Sequence, residues 1–201
     1  MRAKESVQTG RRGLPMKILV SACLLGICCR YDGRGNPKEW IQKLAGTEQL
    51  IPVCPEQLGG LPTPRPPVEW QEGKALNCEG GDCTEAFLRG AQEALKLARL
   101  TGCELAILKA RSPSCGSREI YDGTFSGRRI QGQGAAARLL SANGIRVFDE
   151  TEAEKYLLGG ISMAEAVKTA ETVRYKSTDE IVDMAETAKA ANANESETEG
   201  E

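Results

Sequence analysis

The amino-acid sequence predicts an α/β chain: a single Rossmann-like three-layer domain with a mainly parallel sheet, followed by a C-terminal helical segment and a disordered tail. Three observations lead to this fold class. Short apolar, partly β-branched runs, Ile18-Leu19-Val20, Leu50-Ile51-Pro52-Val53 and Leu105-Ala106-Ile107-Leu108, have the length and composition of buried strands. Stretches of helical periodicity alternate with them, which is the signature of parallel strands joined by crossovers. Each run leads into a loop that carries a cysteine and then a proline or glycine, and in an open α/β sheet the carboxyl ends of the strands are where chemistry collects.

The elements follow in order. Residues 1–15 are polar, carry Arg11-Arg12 and lack the apolar core of a secretion signal, so they read as a flexible extension ahead of a domain expected over residues 16–158. The first strand is expected over 17–21. A loop over 23–37 follows, with Gly26, Gly33, Gly35 and the charged group Arg30-Tyr31-Asp32. Trp40, Ile41 and Leu44 give residues 38–45 one apolar helical face, stopped at Gly46. A second buried strand over 49–53 runs into Cys54-Pro55-Glu56. Residues 58–68 are too rich in Gly and Pro for a helix or central strand, so a rigid extended loop is expected there, one wall of a pocket. A small hairpin fits 68–77. Asp82, with Glu85 three residues on, reads as a capping box for a helix to about residue 100, in which Phe87, Ala91, Leu95 and Ala98 form the buried stripe and Gly102 the stop. The third strand, 104–110, enters Arg111-Ser112-Pro113-Ser114-Cys115-Gly116. A polar segment with a turn at Asp122-Gly123 leads to a helix over 134–143 and a fourth strand over 145–148. Residues 159–189 have helical character, and 190–201, acidic and without a large apolar side chain, read as a disordered tail.

Composition narrows the chemistry. The 26 basic and 28 acidic residues leave a net charge of −2, which gives no global pull toward nucleic acid or an anionic membrane. No apolar run is long enough to span a bilayer. There is no histidine, which removes Ser-His-Asp and Cys-His nucleophile activation and the two-histidine zinc motifs; proton transfer falls to Asp, Glu, Lys, Tyr, Cys or water. There are 8 cysteines and no secretion signal. A reducing, cytoplasmic setting is expected, where cysteines more often bind metal or do chemistry than form disulfides.

The gaps between Cys23, Cys54 and Cys115 match no single short metal motif such as a zinc ribbon. Their context says more. All three follow an expected parallel strand, and neighbouring strands of a sheet lie about 5 Å apart, so three distant cysteines converge at one edge. Gly26, and the hydroxyls of Ser112-Pro113-Ser114-Cys115-Gly116, supply N–H and O–H donors suited to thiolates. Three thiolates suit an iron–sulfur cluster with one open iron better than a closed zinc site, which wants four ligands; Cys28 or Cys29 could complete a zinc site, so that alternative stays open. Cys78, Cys83 and Cys103 lack such context and read as ordinary buried small residues.

Several motifs then agree at once. Ser21-Ala22-Cys23-Leu24-Leu25-Gly26, Cys29-Arg30-Tyr31-Asp32-Gly33, Pro52-Val53-Cys54-Pro55-Glu56, Gly59-Gly60-Leu61 with Pro64-Arg65, Asp82-Cys83-Thr84, Lys109 and Ser112-Pro113-Ser114-Cys115-Gly116 together resemble the thiouracil desulfidase (TudS) family over residues 17–149. Cys83 departs from the aliphatic residue expected between Asp82 and Thr84. The resemblance implies a 4Fe-4S cluster held by Cys23, Cys54 and Cys115, with the fourth iron open to a thiocarbonyl sulfur. It implies non-redox desulfuration of 2-thiouracil, 4-thiouracil or thiouridine to uracil or uridine plus hydrogen sulfide. Glu56, two residues from Cys54, is the expected proton acceptor for the attacking water, with Asp32 its rival and Ser112 the hydroxyl that orients substrate or relays a proton. Loop-stabilising hydrogen bonds are the competing role for both carboxylates. Arg30, Arg65 and Lys109 could bind a base carbonyl or tune the cluster, though salt bridges fit the two arginines better. The expected partner is a small thiolated nucleobase or nucleoside, with no membrane; a tRNA substrate is disfavoured by the charge. A non-catalytic iron–sulfur or zinc module is the alternative from a different class.

Overall fold

The computed structural model describes residues 14–161 and Glu165. In chain order the elements are β1 (Lys17–Ser21), a 3-10 turn (Ala22–Leu25), α1 (Glu39–Leu44), β2 (Gln49–Val53), α2 (Pro55–Leu58), β3 (Val68–Gln71), β4 (Lys74–Asn77), α3 (Thr84–Thr101), β5 (Leu105–Leu108), β6 (Glu119–Tyr121), β7 (Arg129–Gln131), α4 (Ala135–Ala142), β8 (Arg146–Asp149) and α5 (Glu150–Leu158). The central sheet has the order β2-β1-β5-β8, and every pair in it is parallel.

β1 is the spine. Ile18, Leu19 and Val20 are fully buried because their alternating side chains feed two cores. On one face Ile18 and Val20 pack with Leu105, Ile107 and Phe148 beneath Ile41 of α1 and Ala153 of α5. On the other, Leu19 packs with Ala106 and Leu108 beneath Ala94, Leu95 and Ala98 of α3 and Ala137 and Leu140 of α4. Helices on both faces of a parallel sheet make the expected three layers. The stripe Phe87, Ala91, Leu95 and Ala98 is buried, and α3 stops at Gly102 in the left-handed region, φ 71°. No helix among the described residues is long and apolar enough to cross a membrane.

Five local expectations differ. β2 is the edge strand, so Gln49 and Pro52 face solvent and Leu50 and Ile51 are half-buried. Pro55, with its fixed φ and no N–H to lose, starts the four-residue helix α2, too short for periodicity to reveal. The capping box does not form: Asp82 Oδ1 accepts the Thr84 amide at 2.8 Å one residue too early, and Glu85 instead faces Arg89 at 3.5 Å. The polar segment after Cys115 is a hairpin, β6–β7, and α5 follows β8 directly, its first amides at Thr151 and Glu152 accepted by Asp149 Oδ1. The expected N-terminal extension up to residue 13, and nearly all of the expected helical segment and tail, lie outside the described residues.

α2 and α3 meet backbone to backbone. A Cβ on Gly90 would lie 2.0 Å from the Pro55 carbonyl oxygen, and one on Gly59 would lie 2.0 Å from that of Ala86. Alanine inside a helix ordinarily gains about 1 kcal/mol over glycine. Here Gly90→Ala is expected to cost about 1–3 kcal/mol by overpacking. Urea unfolding checks this; a midpoint equal to or above that of the parent chain would contradict it.

Candidate active site at the carboxyl edge of the sheet

The chain leaves β1 toward β2 on one side and β5 on the other, so the carboxyl end of β1 is a topological switch point. All three expected cysteines sit there. Cys23 lies in the 3-10 turn directly after β1, its carbonyl oxygen accepting the amides of Gly26 at 3.1 Å and Asn36 at 2.7 Å. Gly26 permits that turn with φ 100°. Cys54 directly follows β2 and caps α2, and Cys115 lies in the loop after β5. Cys23 and Cys115 are buried, Cys54 half-buried, and all three are free thiols.

The Cys115 loop is braced from three sides. Ser112 Oγ accepts the amides of Ser114 at 3.2 Å and Cys115 at 3.1 Å. The start of α4 donates from Ala135 to the Pro113 carbonyl and from Ala136 and Ala137 to that of Ser114. Trp70 Nε1 of the β3–β4 hairpin donates to the Pro113 carbonyl at 2.7 Å. Ser21 Oγ, at the end of β1, accepts the Lys109 amide at 2.9 Å at the root of the loop.

A fourth thiol enters the site. Cys28 is exposed, but Cys29 is buried and its thiol contacts those of both Cys23 and Cys54. The Cys29 carbonyl accepts Arg65 Nη2 at 3.1 Å and lies 3.7 Å from Cys54 Sγ. Of the remaining cysteines, Cys103 is buried, as expected; Cys83 is only half-buried against Val68, Ala75 and Phe87, and Cys78 is exposed, contrary to expectation, because the turn after β4 faces solvent.

These thiols crowd one another. Contact with the Cys23 thiol, more than burial, pushes Cys29 up to about 11. Contact with Cys29 and then burial push Cys54 well above the ordinary thiol range. Burial pushes Cys115 up to about 12, with Cys54 and Glu56 adding to the rise and the hydroxyls of Ser21 and Ser112 opposing it. The cation that Cys29 feels, Arg65, is already engaged: its Nε and Nη2 both lie 2.7 Å from Glu56 Oε2, and Nη1 serves Pro62 and Thr63. Among the described residues, these thiols stand with hydroxyl groups and a cation already paired with a carboxylate, a set suited to a cationic centre.

The other expected site residues divide. Glu56 is largely buried and lies within electrostatic reach of Cys54 and Cys115; Arg65 holds its Oε2, and Oε1 has no partner among the described residues. Asp32 is engaged within its own loop, by Arg30 Nη2 at 3.0 Å and the Arg34 amide at 3.1 Å. Lys109 Nζ is taken by Glu150 at 2.6 Å and the Ala110 carbonyl at 3.1 Å. The salt bridges expected for Arg30 and Arg65 are present. Ser21 is an addition that sequence reasoning left without a role, and Cys29, open there only as a fourth zinc ligand, joins the site. Among the described residues no three His, Cys, Asp or Glu side chains close on a point fit for a single metal ion. A multinuclear cluster takes its thiolates one per iron and has no need of such a point.

The chain is similar to known proteins. The chain is 44% identical over 145 residues to YbbK of Bacillus subtilis (strain 168), named as uncharacterized, covering 67% of this chain and 96% of that one. A solved structure of a [4Fe-4S]-dependent thiouracil desulfidase, TudS, matches with a TM-score of 0.67 and 44% identity, over 72% of this chain and 97% of that one. The model of the 2-thiouracil desulfurase family matches residues 18–152, a span that opens in β1 and closes in α5 and takes in Cys23, Cys54 and Cys115. With more than half of its length matched, this chain belongs to the 2-thiouracil desulfurase family.

Proposed function

We propose that this protein desulfurates thiolated pyrimidines, 2-thiouracil or 4-thiouracil and thiouridine, releasing uracil or uridine and hydrogen sulfide without net redox change. The observation that carries the reading is the placement of Cys23, Cys54 and Cys115 at one sheet edge beside Glu56 and Ser112. The thiol-rich, cation-poor donor set fits a [4Fe-4S] cluster, the group named for the TudS relative, and Cys23, Cys54 and Cys115 would hold it. When bound, the cluster supplies a soft Lewis acid for the thiocarbonyl sulfur.

The protein's own groups do the rest. Glu56 takes the proton of the attacking water at Oε1, while Arg65 fixes the carboxylate through Oε2. That proton passes on to the departing sulfur, so thiocarbonyl plus water becomes carbonyl plus hydrogen sulfide and no electron acceptor is needed. Ser112, whose oxygen takes two amides and whose hydroxyl neighbours Cys115, stands at the site to orient the substrate or relay a proton. Asp32 is the less available group, since both of its oxygens are used within its loop. A free base or nucleoside is preferred over tRNA, because a net charge of −2 provides no field for a polyanion.

The test is anaerobic reconstitution with iron and sulfide, then incubation with 2-thiouracil. About four irons per chain, with uracil and sulfide released together, is the expected result. Zinc, no metal, or iron without release from any thiolated pyrimidine would refute the proposal. Cys29→Ser separates the catalytic reading from a closed, non-catalytic module. Three thiolates leave one iron free, so C29S is expected to keep its iron and its turnover. Loss of the cluster on that substitution would make Cys29 a fourth ligand and favour the closed module.

A further inference from the structure

Arg111 has φ 63° in the loop that carries Ser112 and Cys115; of the three non-glycine residues with positive φ among those described, it is the one in this loop. A long side chain in the left-handed region is strained and persists only where its surroundings hold it there. The hold stands on both sides of it. After Arg111, the Ser112 carbonyl accepts the Gly116 amide at 2.8 Å, and Ser112 Oγ accepts the amides of Ser114 and Cys115. Before it, the hold comes from another element. Glu150, the first residue of α5, accepts the Ala110 amide at 2.5 Å through Oε2 and Lys109 Nζ at 2.6 Å through Oε1. Leu108 pairs with Asp149, so the residue after β8 stands level with the residue after β5. Glu150 is buried, and the reaction above gives it no part.

We propose that Glu150 is a positioning residue: its carboxylate bridges Lys109 and Ala110, holds Arg111 in its left-handed turn, and so sets Ser112 and Cys115 at the site. The proposal rests on the roles given to Ser112 and Cys115 above. A carboxylate suits the task because it has two oxygens for two donors, one a backbone N–H that needs a partner and one an ammonium. Ser21 Oγ takes only the Lys109 amide, one residue further from the turn. The far end of the loop is tied to the same corner of the sheet. Ser117 Oγ donates to Asp149 Oδ2 at 3.4 Å, while Asp149 Oδ1 accepts the Thr151 and Glu152 amides. Neighbouring carboxylates at the end of β8 thereby grip the loop at its entry and its exit.

Full-length Glu150→Ala and Glu150→Gln, each alone and with Arg111→Gly, are the variants to compare with the parent. Peptide-resolved amide hydrogen exchange is measured with and without reconstituted iron, and iron loss to a chelator and turnover per bound iron on the reconstituted chains. Glu150→Ala is expected to raise exchange over residues 109–117 and the rate of iron loss, and to lower turnover per iron, each about tenfold, while β1 and α3 keep the parent's exchange. Glycine takes a positive φ without strain, so adding Arg111→Gly is expected to return the loop's exchange most of the way to the parent's. A role confined to the stability of α5 or of the whole domain would gain no such local relief from a change at Arg111. Should Glu150→Ala fail to fold, Glu150→Gln keeps the shape and offers one acceptor oxygen to two donors; a smaller local rise and the same relief are expected of it. Unchanged loop exchange in the Glu150 variants, or a rise that Arg111→Gly does not relieve, overturns the inference and leaves the proposed function standing. A parent chain that takes up iron but releases no sulfide from any thiolated pyrimidine overturns the proposed function, and the exchange rates of the same samples still decide for or against the hold of Glu150 on the loop.

Discussion

Replacing Cys23, Cys54 or Cys115 by alanine, one at a time, is expected to reduce iron after anaerobic reconstitution to a small fraction of the parent's and to abolish release of uracil from 2-thiouracil. Each thiol arrives on a different strand end, so none is a local duplicate of another. With no histidine in the chain, no imidazole can take over a vacated position. Cys29 is the nearest substitute, but its contacts are with Cys23 and Cys54, so Cys115→Ala is the cleanest of the three. Cys115 is also the most deeply buried of them, and its removal leaves the hydroxyls of Ser21 and Ser112 without the sulfur they face. Iron and acid-labile sulfide analysis with a visible spectrum is the measurement, with circular dichroism to show that the sheet persists. Full iron in Cys115→Ala would remove that residue from the site.

Glu56→Gln is expected to separate binding from chemistry, lowering turnover by about 10²–10⁴-fold while iron content is retained. The amide preserves shape and an oxygen for Arg65 but accepts no proton from water. It also leaves a buried guanidinium without its counter-charge, since the Arg65 side chain is only 4% exposed. Breaking a buried pair outright costs about 3–5 kcal/mol; with the amide oxygen still in place for Arg65, the cost in thermal stability should be smaller than that. Single-turnover rates at matched iron content decide the matter. A glutamine variant as fast as the parent would pass the role of base to another group, with Asp32 the first to examine.

The sequence made the frame legible wherever a local pattern was long enough. Ile18-Leu19-Val20 and Leu105-Ala106-Ile107-Leu108 announce buried parallel strands because both faces of such strands are covered, and the spacing of Phe87, Ala91, Leu95 and Ala98 announces α3. β2 has the same composition as a central strand, and nothing within it says that the sheet ends there. α2 spans four residues and β6 and β7 three each, shorter than any period can register. At the site, strand context singled out Cys23, Cys54 and Cys115 because their placement depends only on strand ends. Cys29 sits in a polar, Gly-rich loop, and its burial comes from packing against β1 and the turn after it, with Arg65, from a segment 36 residues away, bonded to its carbonyl. Ser21 gains its partners when β5 docks beside β1, a neighbour relation that no local pattern encodes.

The sheet order also fixes a sequence of events in the life of the chain. Ile18 pairs with Leu50 on one side and with Leu105 on the other, so β1 is flanked fully only after the polypeptide has returned to it twice. Pairing across so long an interval pays its loop-closure entropy before any contact repays it, and forms late. A chain emerging from the ribosome therefore presents Cys23 and Cys54 before Cys115 has been synthesised. The three thiols can thus meet only after β5 and the loop that follows it have been made and have docked beside β1.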